Sequence, residues 1–150
     1  MEYLLLGLLA LAIFGSGKRS SNLGGFDPVI QTVHGIGPDG LPQGNCFPAC
    51  IASIMKLPID KVPFFTTETQ GAQIDDANGW LRQFNLRLNM RPYRAGAKSN
   101  HCLARGVSPR FPSHFHMVVW KDDSMVHDPH PDQRGIVGEP THLIHFEGIN

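Results

Sequence analysis

Apolar and polar positions divide this chain of 150 residues into a hydrophobic start, a glycine-rich stretch and a patterned remainder. Residues 3–14, YLLLGLLALAIF, carry no charge. As a helix they span about 18 Å, against roughly 30 Å for the hydrocarbon core of a bilayer. Three interpretations are open. They are a short membrane anchor with Lys18 and Arg19 on the cytoplasmic side, a signal peptide cleaved near Ala12, and a docked helix.

The composition then shifts twice along the chain. We expect residues 1–17 to form a hydrophobic N-terminal segment, 18–30 a linker rich in small polar residues, and 31–150 a single domain, which suits the length. We expect membrane association through residues 3–14, with secretion as the alternative.

Two segments have the pattern of helices. Residues 45–57, NCFPACIASIMKL, are apolar on nearly all sides, which predicts a buried helix. Asn45 is a suitable N-cap and Pro48 is tolerated in the first turn. A second helix is predicted over about 72–84, because its apolar residues recur at helical spacing.

The second half of the chain has the pattern of strands. Residues 86–91 alternate apolar and polar, as a half-buried strand does. Asp122 and Asp123 predict a tight turn between two further strands. The predicted strands are 86–91, 102–107, 115–121, 124–128 and 142–146, with a loop over 129–140. Helices followed by an antiparallel sheet indicate an α+β fold.

Composition and charge narrow the possible functions. The chain has 13 Lys and Arg against 13 Asp and Glu, so it lacks the basic excess of a nucleic-acid-binding protein. Its 3 Cys exclude a complete disulfide framework. Its 8 His lie mostly in the last third of the chain. Cysteine and histidine are therefore the candidate reactive or ligand-binding residues of this chain.

Cys46 lies in the first turn of the buried helix. The free N–H groups and partial positive charge of a helix N-terminus favour a thiolate. A nucleophilic thiol needs a base oriented by a third polar group, and His116 and Asp128 are candidates on neighbouring strands. With a regular two-residue turn Asp128 would face away from His116, so the pair requires an odd loop or a bulge.

The segment NCFPACIASIM, the motif HMVVW from His116, and Asp128-Pro129 together resemble the papain-like cysteine peptidases, nearest the bacteriocin-processing (double-glycine) peptidases. The resemblance spans about 43–129. It implies a papain-like fold in which the helix that carries the nucleophile packs on an antiparallel sheet. Departures from the family pattern are Phe47, where the family has Gly, and Gly40, where it has an oxyanion-hole Gln.

The resemblance implies a thiol hydrolase that cleaves a peptide or amide bond through an acyl-enzyme. Cys46 would be the nucleophile, His116 the base and Asp128 the residue that orients the imidazole. Gln43 is the nearest substitute for the missing oxyanion donor, and Asn45 is another. A peptide or protein substrate is expected, and no metal or organic cofactor is needed.

Two other functions remain open. A catalytically inactive papain-like domain could bind a partner at a membrane. Alternatively, a metal-dependent hydrolase could use His114, His116 and His127, which the regular hairpin register places on one sheet face. Cys50 is either a small buried side chain or a resolving thiol. Arg110 lies in a loop that could form a wall of the cleft and meet a carboxylate.

Overall fold

The computed structural model describes residues 25–65 and 70–150, without the side chain of Gln70. The hydrophobic segment 3–14 and the predictions made for it lie outside the described residues. Within these ranges, no helix is long and apolar enough to cross a membrane.

In the described ranges two α-helices precede the sheet, as the sequence predicts. Helix α1 is Cys46–Met55, and every residue from Phe47 onward is buried. It ends where Lys56 adopts a left-handed backbone conformation with φ 56°. Helix α2 is Gln70–Leu81 and continues into a 3-10 turn over Arg82–Phe84. A second 3-10 turn, Ile59–Lys61, follows α1.

Five antiparallel strands form one sheet in the order β1-β5-β2-β3-β4. The strands are β1 (Leu86–Pro92), β2 (Cys102–Val107), β3 (Phe115–Lys121), β4 (Ser124–His127) and β5 (Val137–Gly148). The α+β class predicted from the sequence is thus confirmed.

The last strand is longer than predicted. The apolar pattern indicates only 142–146, but β5 begins at Val137, inside the predicted loop 129–140. β5 lies inside the sheet, but its pairing with β1 covers only His142 to Gly148. Its first residues are held by β2, where Val137 lies opposite Val107, although several of their side chains are exposed.

A tight turn and a bulge connect β3 to β4. Asp122 and Asp123 both have positive φ, 47° and 63°, as a two-residue hairpin turn with mirror-image geometry requires. Trp120 pairs with Met125, but the residue before it, Val119, pairs with His127 rather than with Val126. Val126 is therefore an extra residue in β4, and this bulge is one of the two solutions that a His116–Asp128 contact requires.

The sheet has apolar residues on both faces. Helix α1 packs against β3 within a core that includes Phe47, Ile51, Met117 and Val119. A smaller cluster on the other face contains Cys102, Ala104, Val118, Trp120 and Leu143.

The described part of the predicted linker runs along α1. The amide of Asp27 donates to the carbonyl oxygen of Ser53 at 2.9 Å. The amide of Val29 donates to the Ser53 hydroxyl at 3.0 Å. Residues 25–30 therefore belong to the packed unit, although the sequence assigns them to the linker 18–30.

Candidate active site

Cys46 is the first residue of α1, half-buried at the edge of a cleft. The carbonyl oxygen of Asn45 accepts the first helical hydrogen bond, from the amide of Ala49 at 3.0 Å. Proline at position 48 suits this turn because it has no N–H to leave unpaired. The thiol therefore lies where the free amides of the helix N-terminus create a positive potential.

Asn45 is the N-cap residue of α1, as predicted, but its side chain makes no hydrogen bond to the helix. Its amide oxygen instead accepts the backbone N–H groups of Thr32 and Val33 at 3.0 and 2.9 Å. Its amide nitrogen donates to the Thr32 hydroxyl at 2.9 Å. Asn45 therefore ties the segment before the cleft to the start of α1, because its short side chain meets two unpaired amides there.

His116 and Asp128 are in direct contact. The imidazole Nε2 lies 2.7 Å from the Asp128 Oδ1, and both side chains are buried. The bulge at Val126 brings Asp128 level with Val118, on the same face of β3 as His116. Because Nε2 is bound to the carboxylate, Nδ1 is the nitrogen that remains to exchange a proton with a thiol.

The electrostatics of His116 connect it to Cys46. Burial lowers the pKa of His116, but hydrogen bonds to the Asp128 carboxylate and to the Cys46 sulfur outweigh burial and raise it to about 9. Such a shift requires anionic partners within reach of the ring. At neutral pH the ring is therefore an imidazolium between a carboxylate and a sulfur.

The Asp128 carboxylate is held in one position by several donors. Oδ1 accepts the amide of His130 at 2.9 Å as well as the His116 imidazole. Oδ2 accepts the amide of Gly135 at 2.6 Å and lies 3.5 Å from the guanidinium of Arg110. Burial raises the pKa of Asp128, but the bonds from His116, His130 and Gly135 outweigh burial and lower it. The carboxylate is thus ionised and fixed in orientation.

The cleft has a volume of about 550 Å³. Cys46 and His116 both line it, and the loop over 34–44 forms one wall. That loop is a small hairpin closed by a bridge between Ile36 and Pro42, and its tip turns at Gly40 with φ 78°. Four phenylalanine side chains also line the cleft: Phe47, Phe64, Phe111 and Phe115.

Gln43, the predicted oxyanion donor, also lines the cleft but is exposed at its rim. Its amide oxygen lies 3.2 Å from where a side chain on Gly37 would begin, so the amide leans over its own hairpin. Its role in holding an oxyanion stays a prediction.

Gln31 is a second amide beside the cleft, and it was missed by the sequence analysis. It is 4% exposed, and its Nε2 donates to the Val33 carbonyl oxygen at 2.8 Å. Among the described residues its Oε1 has no hydrogen-bond partner. No motif or spacing identifies it, because its backbone amide is held by a distant carbonyl, that of Pro129, at 2.8 Å.

The alternative metal site does not form. His127 does not join His114 and His116, because its Nε2 donates to the Val29 carbonyl oxygen at 2.8 Å. The physical reason is the bulge, which breaks the regular register that would align the three rings. In the part of the chain that the structure describes, no group of three His, Cys, Asp or Glu side chains is placed to hold a metal ion.

The other two thiols are buried. Cys50 is fully buried, and burial first, then the neighbouring Cys46 and Asp128, raise its pKa well above the usual range. Cys102 is 1% exposed, and burial raises its pKa to about 11. Both are poor nucleophiles, since a buried thiol resists ionisation. Cys46 is the one of the three that reaches solvent.

Arg110 lines the cleft, where the sequence predicted that its loop could form a wall and meet a carboxylate. The Arg110 Nε donates to Asp132 Oδ2 at 2.8 Å, and its Nη2 makes a very short contact with Asp132 Oδ1. The partners are carboxylates of this same chain, which no local pattern indicates.

Comparison with known proteins adds no relative. Neither the family models, nor the curated proteins, nor the solved structures contain a match to this chain.

Proposed function

We propose that this protein is a thiol hydrolase with a papain-like fold, most consistent with a cysteine peptidase that uses Cys46, His116 and Asp128. One observation carries the proposal. The half-buried thiol at the start of α1 lies beside an imidazole whose far nitrogen is bound at 2.7 Å to a buried carboxylate. That is the order of nucleophile, base and orienting group that acyl transfer through a thiol requires.

The reaction follows from these positions. The Cys46 thiolate attacks a carbonyl carbon of the substrate, and the imidazolium of His116 then gives its proton to the departing amine. The neutral imidazole takes a proton from water, which attacks the thioester and releases the acid. The thiolate leaves as this second intermediate collapses, and the proton taken from water stays on the imidazole, which restores the starting ion pair. Asp128 stabilises the imidazolium and keeps Nδ1 towards the sulfur.

The oxyanion formed at each addition needs hydrogen-bond donors. The backbone amide of Cys46 is one, because amides in the first turn of a helix have no partner within the helix. The Gln43 side chain is the second donor that we propose, since it lines the same cleft. Rotation of its side chain away from Gly37 would bring its amide nitrogen towards the substrate.

Selective alkylation tests the nucleophile. We expect iodoacetamide at pH 5.5 to label Cys46 of the full chain at least about tenfold faster than free cysteine, whose pKa of about 8.5 keeps it protonated. The variant His116→Ala should label Cys46 at the rate of free cysteine. His114→Ala is the matched control, because His114 is an exposed ring only two residues before His116, and it should label as the wild type does. Equal and slow labelling of all three thiols would overturn the proposal.

Acylation separates a hydrolase from a binding domain with a reactive thiol. An activated ester such as p-nitrophenyl acetate should acetylate Cys46 and release nitrophenol in a burst followed by turnover. We expect Gln43→Ala to lower turnover without slowing alkylation, because alkylation forms no oxyanion. Rapid alkylation with no turnover of the acyl group would favour the inactive binding domain instead.

A further inference from the structure

The loop that connects β2 to β3 places a buried cation behind the candidate catalytic pair. The hydroxyl of Ser108 accepts the backbone amides of Arg110 and Phe111, each at 3.2 Å. The Ser108 amide also donates to the carbonyl oxygen of His114 at 2.9 Å. These bonds close the loop on itself, so the Arg110 backbone is held in place and its side chain is only 10% exposed.

The Arg110 guanidinium bridges two carboxylates. It lies 3.5 Å from Asp128, which is fully buried, and binds Asp132 through both Nε and Nη2. The hydrogen bond from Arg110 is the main reason that the pKa of Asp132 lies well below its usual range. A two-pronged bond of this kind fixes the plane of the guanidinium as well as its position.

The geometry points to Arg110 as a positioning residue. Held by Asp132, it fixes the Asp128 carboxylate in the orientation that receives the His116 imidazole. Arg110 also lines the cleft, but it acts on the site through Asp128. Any effect of Arg110 on catalysis rests on the proposed function. Its effect on the His116–Asp128 bond does not depend on that function.

Two features favour positioning over a simple link between loops. Arg110 and His116 approach different oxygens of Asp128, since the guanidinium lies beside Oδ2 while the imidazole binds Oδ1. In addition, Arg134 already binds Asp132 through its Nε at 3.0 Å and is 56% exposed. Asp132 would therefore still be bound by a cation, Arg134, if Arg110 were removed. Of these two cations, Arg110 is the one that lies beside Asp128.

The test is proton NMR of the full chain, which reads the His116–Asp128 bond whether or not Cys46 reacts. A short imidazole–carboxylate bond gives a strongly deshielded N–H proton, assigned here by its loss in His116→Gln. In Arg110→Gln we expect this signal to vanish or to exchange with water at least about tenfold faster, as expected when such a bond loses about one pKa unit of stabilisation. Arg110→Lys keeps the positive charge but cannot donate two parallel hydrogen bonds to one carboxylate. It should give an intermediate rate of exchange with water.

The matched control is Arg134→Gln, which removes the other cation on Asp132 and should leave the signal at its wild-type exchange rate. A wild-type signal in Arg110→Gln would overturn the proposal. Should that variant fail to fold, the double variant Arg110→Gln/Asp132→Asn removes one positive and one negative charge together, so the net charge stays the same. It should also lose the signal, and a wild-type signal there would equally overturn the inference.

Alkylation of Cys46 by iodoacetamide, measured on the same samples, separates the two proposals. If Arg110→Gln loses the imidazole signal and also lowers the pH 5.5 labelling rate about tenfold, both stand. If the wild-type thiol is slow but the signal still depends on Arg110, the proposed hydrolase function fails and the positioning role stands.

Discussion

Asp128 is the residue on which the candidate site depends. Its two carboxylate oxygens bind the His116 ring, the amides of His130 and Gly135, and the Arg110 guanidinium. A buried carboxylate without such donors would take up a proton and could no longer hold an imidazolium. The sequence indicated Asp128 from its place after a strand, but nothing in it showed how many groups would bind it.

At this scale the proton on His116 links stability to pH. The folded chain holds that proton up to a pKa of about 9, against an ordinary value of 6.5. Because folding raises this pKa, the stabilisation is fully present below pH 6.5 and is lost as pH rises through 9. We expect the urea midpoint of the wild type to fall between these pH values by more than that of His116→Gln. His114→Gln, at an exposed position, should follow the wild type. Parallel pH curves for His116→Gln and the wild type would contradict the expectation.

At the scale of elements, the hairpin of β3 and β4 decides whether the His116–Asp128 pair can form. Its two-residue turn alone would place His116 and Asp128 on opposite faces of the sheet. The extra residue, Val126, restores them to one face. Val126 is 38% exposed, so packing in the apolar core does not explain why this extra residue is present.

Changes of one residue in β4 test this register. Inserting one Ala after Val126 should move Asp128 to the opposite face and reduce the pH 5.5 alkylation of Cys46 at least about tenfold, to the rate of an unpaired thiol. Deleting Val126 is the control, because it removes the extra residue while keeping Val119 opposite His127 and Asp128 level with Val118. It should retain most of the labelling rate, and circular dichroism should show the sheet in both variants. Rapid labelling in the insertion variant would show that the bulge does not set the pair.

At the scale of the whole molecule, the sheet is packed on both faces, which leaves little room between β2 and the loop that precedes β5. A Cβ added to Gly106 would lie 2.6 Å from the Ile136 Cδ1 and 2.8 Å from its Cβ. Ile136 packs in turn on the smaller apolar cluster. The close approach explains why a residue without a side chain stands opposite His116 in the register of β2 and β3.

Two glycine substitutions therefore have opposite expected effects on stability. Gly106→Ala should lower the free energy of unfolding by about 1–3 kcal/mol, because the new methyl group overlaps Ile136. Gly79→Ala, in helix α2 with open space around it, should raise it by about 0.5–1 kcal/mol through helix propensity. Urea unfolding of both variants beside the wild type measures the difference. A neutral Gly106→Ala would show that the loop over 129–136 shifts without cost.

Much of the local structure was predictable from the sequence. Apolar spacing indicated α1, α2 and the strands β1 to β4 nearly to their observed ends, since burial on one face repeats every 2 or 3.6 residues. The start of β5 was not predictable, because it is held by backbone pairing to β2 rather than by an apolar pattern. Asn45 occupies the predicted N-cap position, but its side chain binds the amides of Thr32 and Val33 rather than the helix, and these distant partners were not predictable for a similar reason.

For the candidate site, the sequence by itself determined the residue types and their order: a thiol at the start of a buried helix, an imidazole on a strand and a carboxylate after the next strand. The tertiary structure alone decided that the bulge joins His116 to Asp128, that His127 turns to Val29, and that Arg110 and Asp132 stand behind the pair. The periodicity of helices and strands depends on residues that are close in sequence, so the sequence alone predicts it. Register, ion pairs and orientation are set by which distant segments meet, and that depends on the packing of the whole chain.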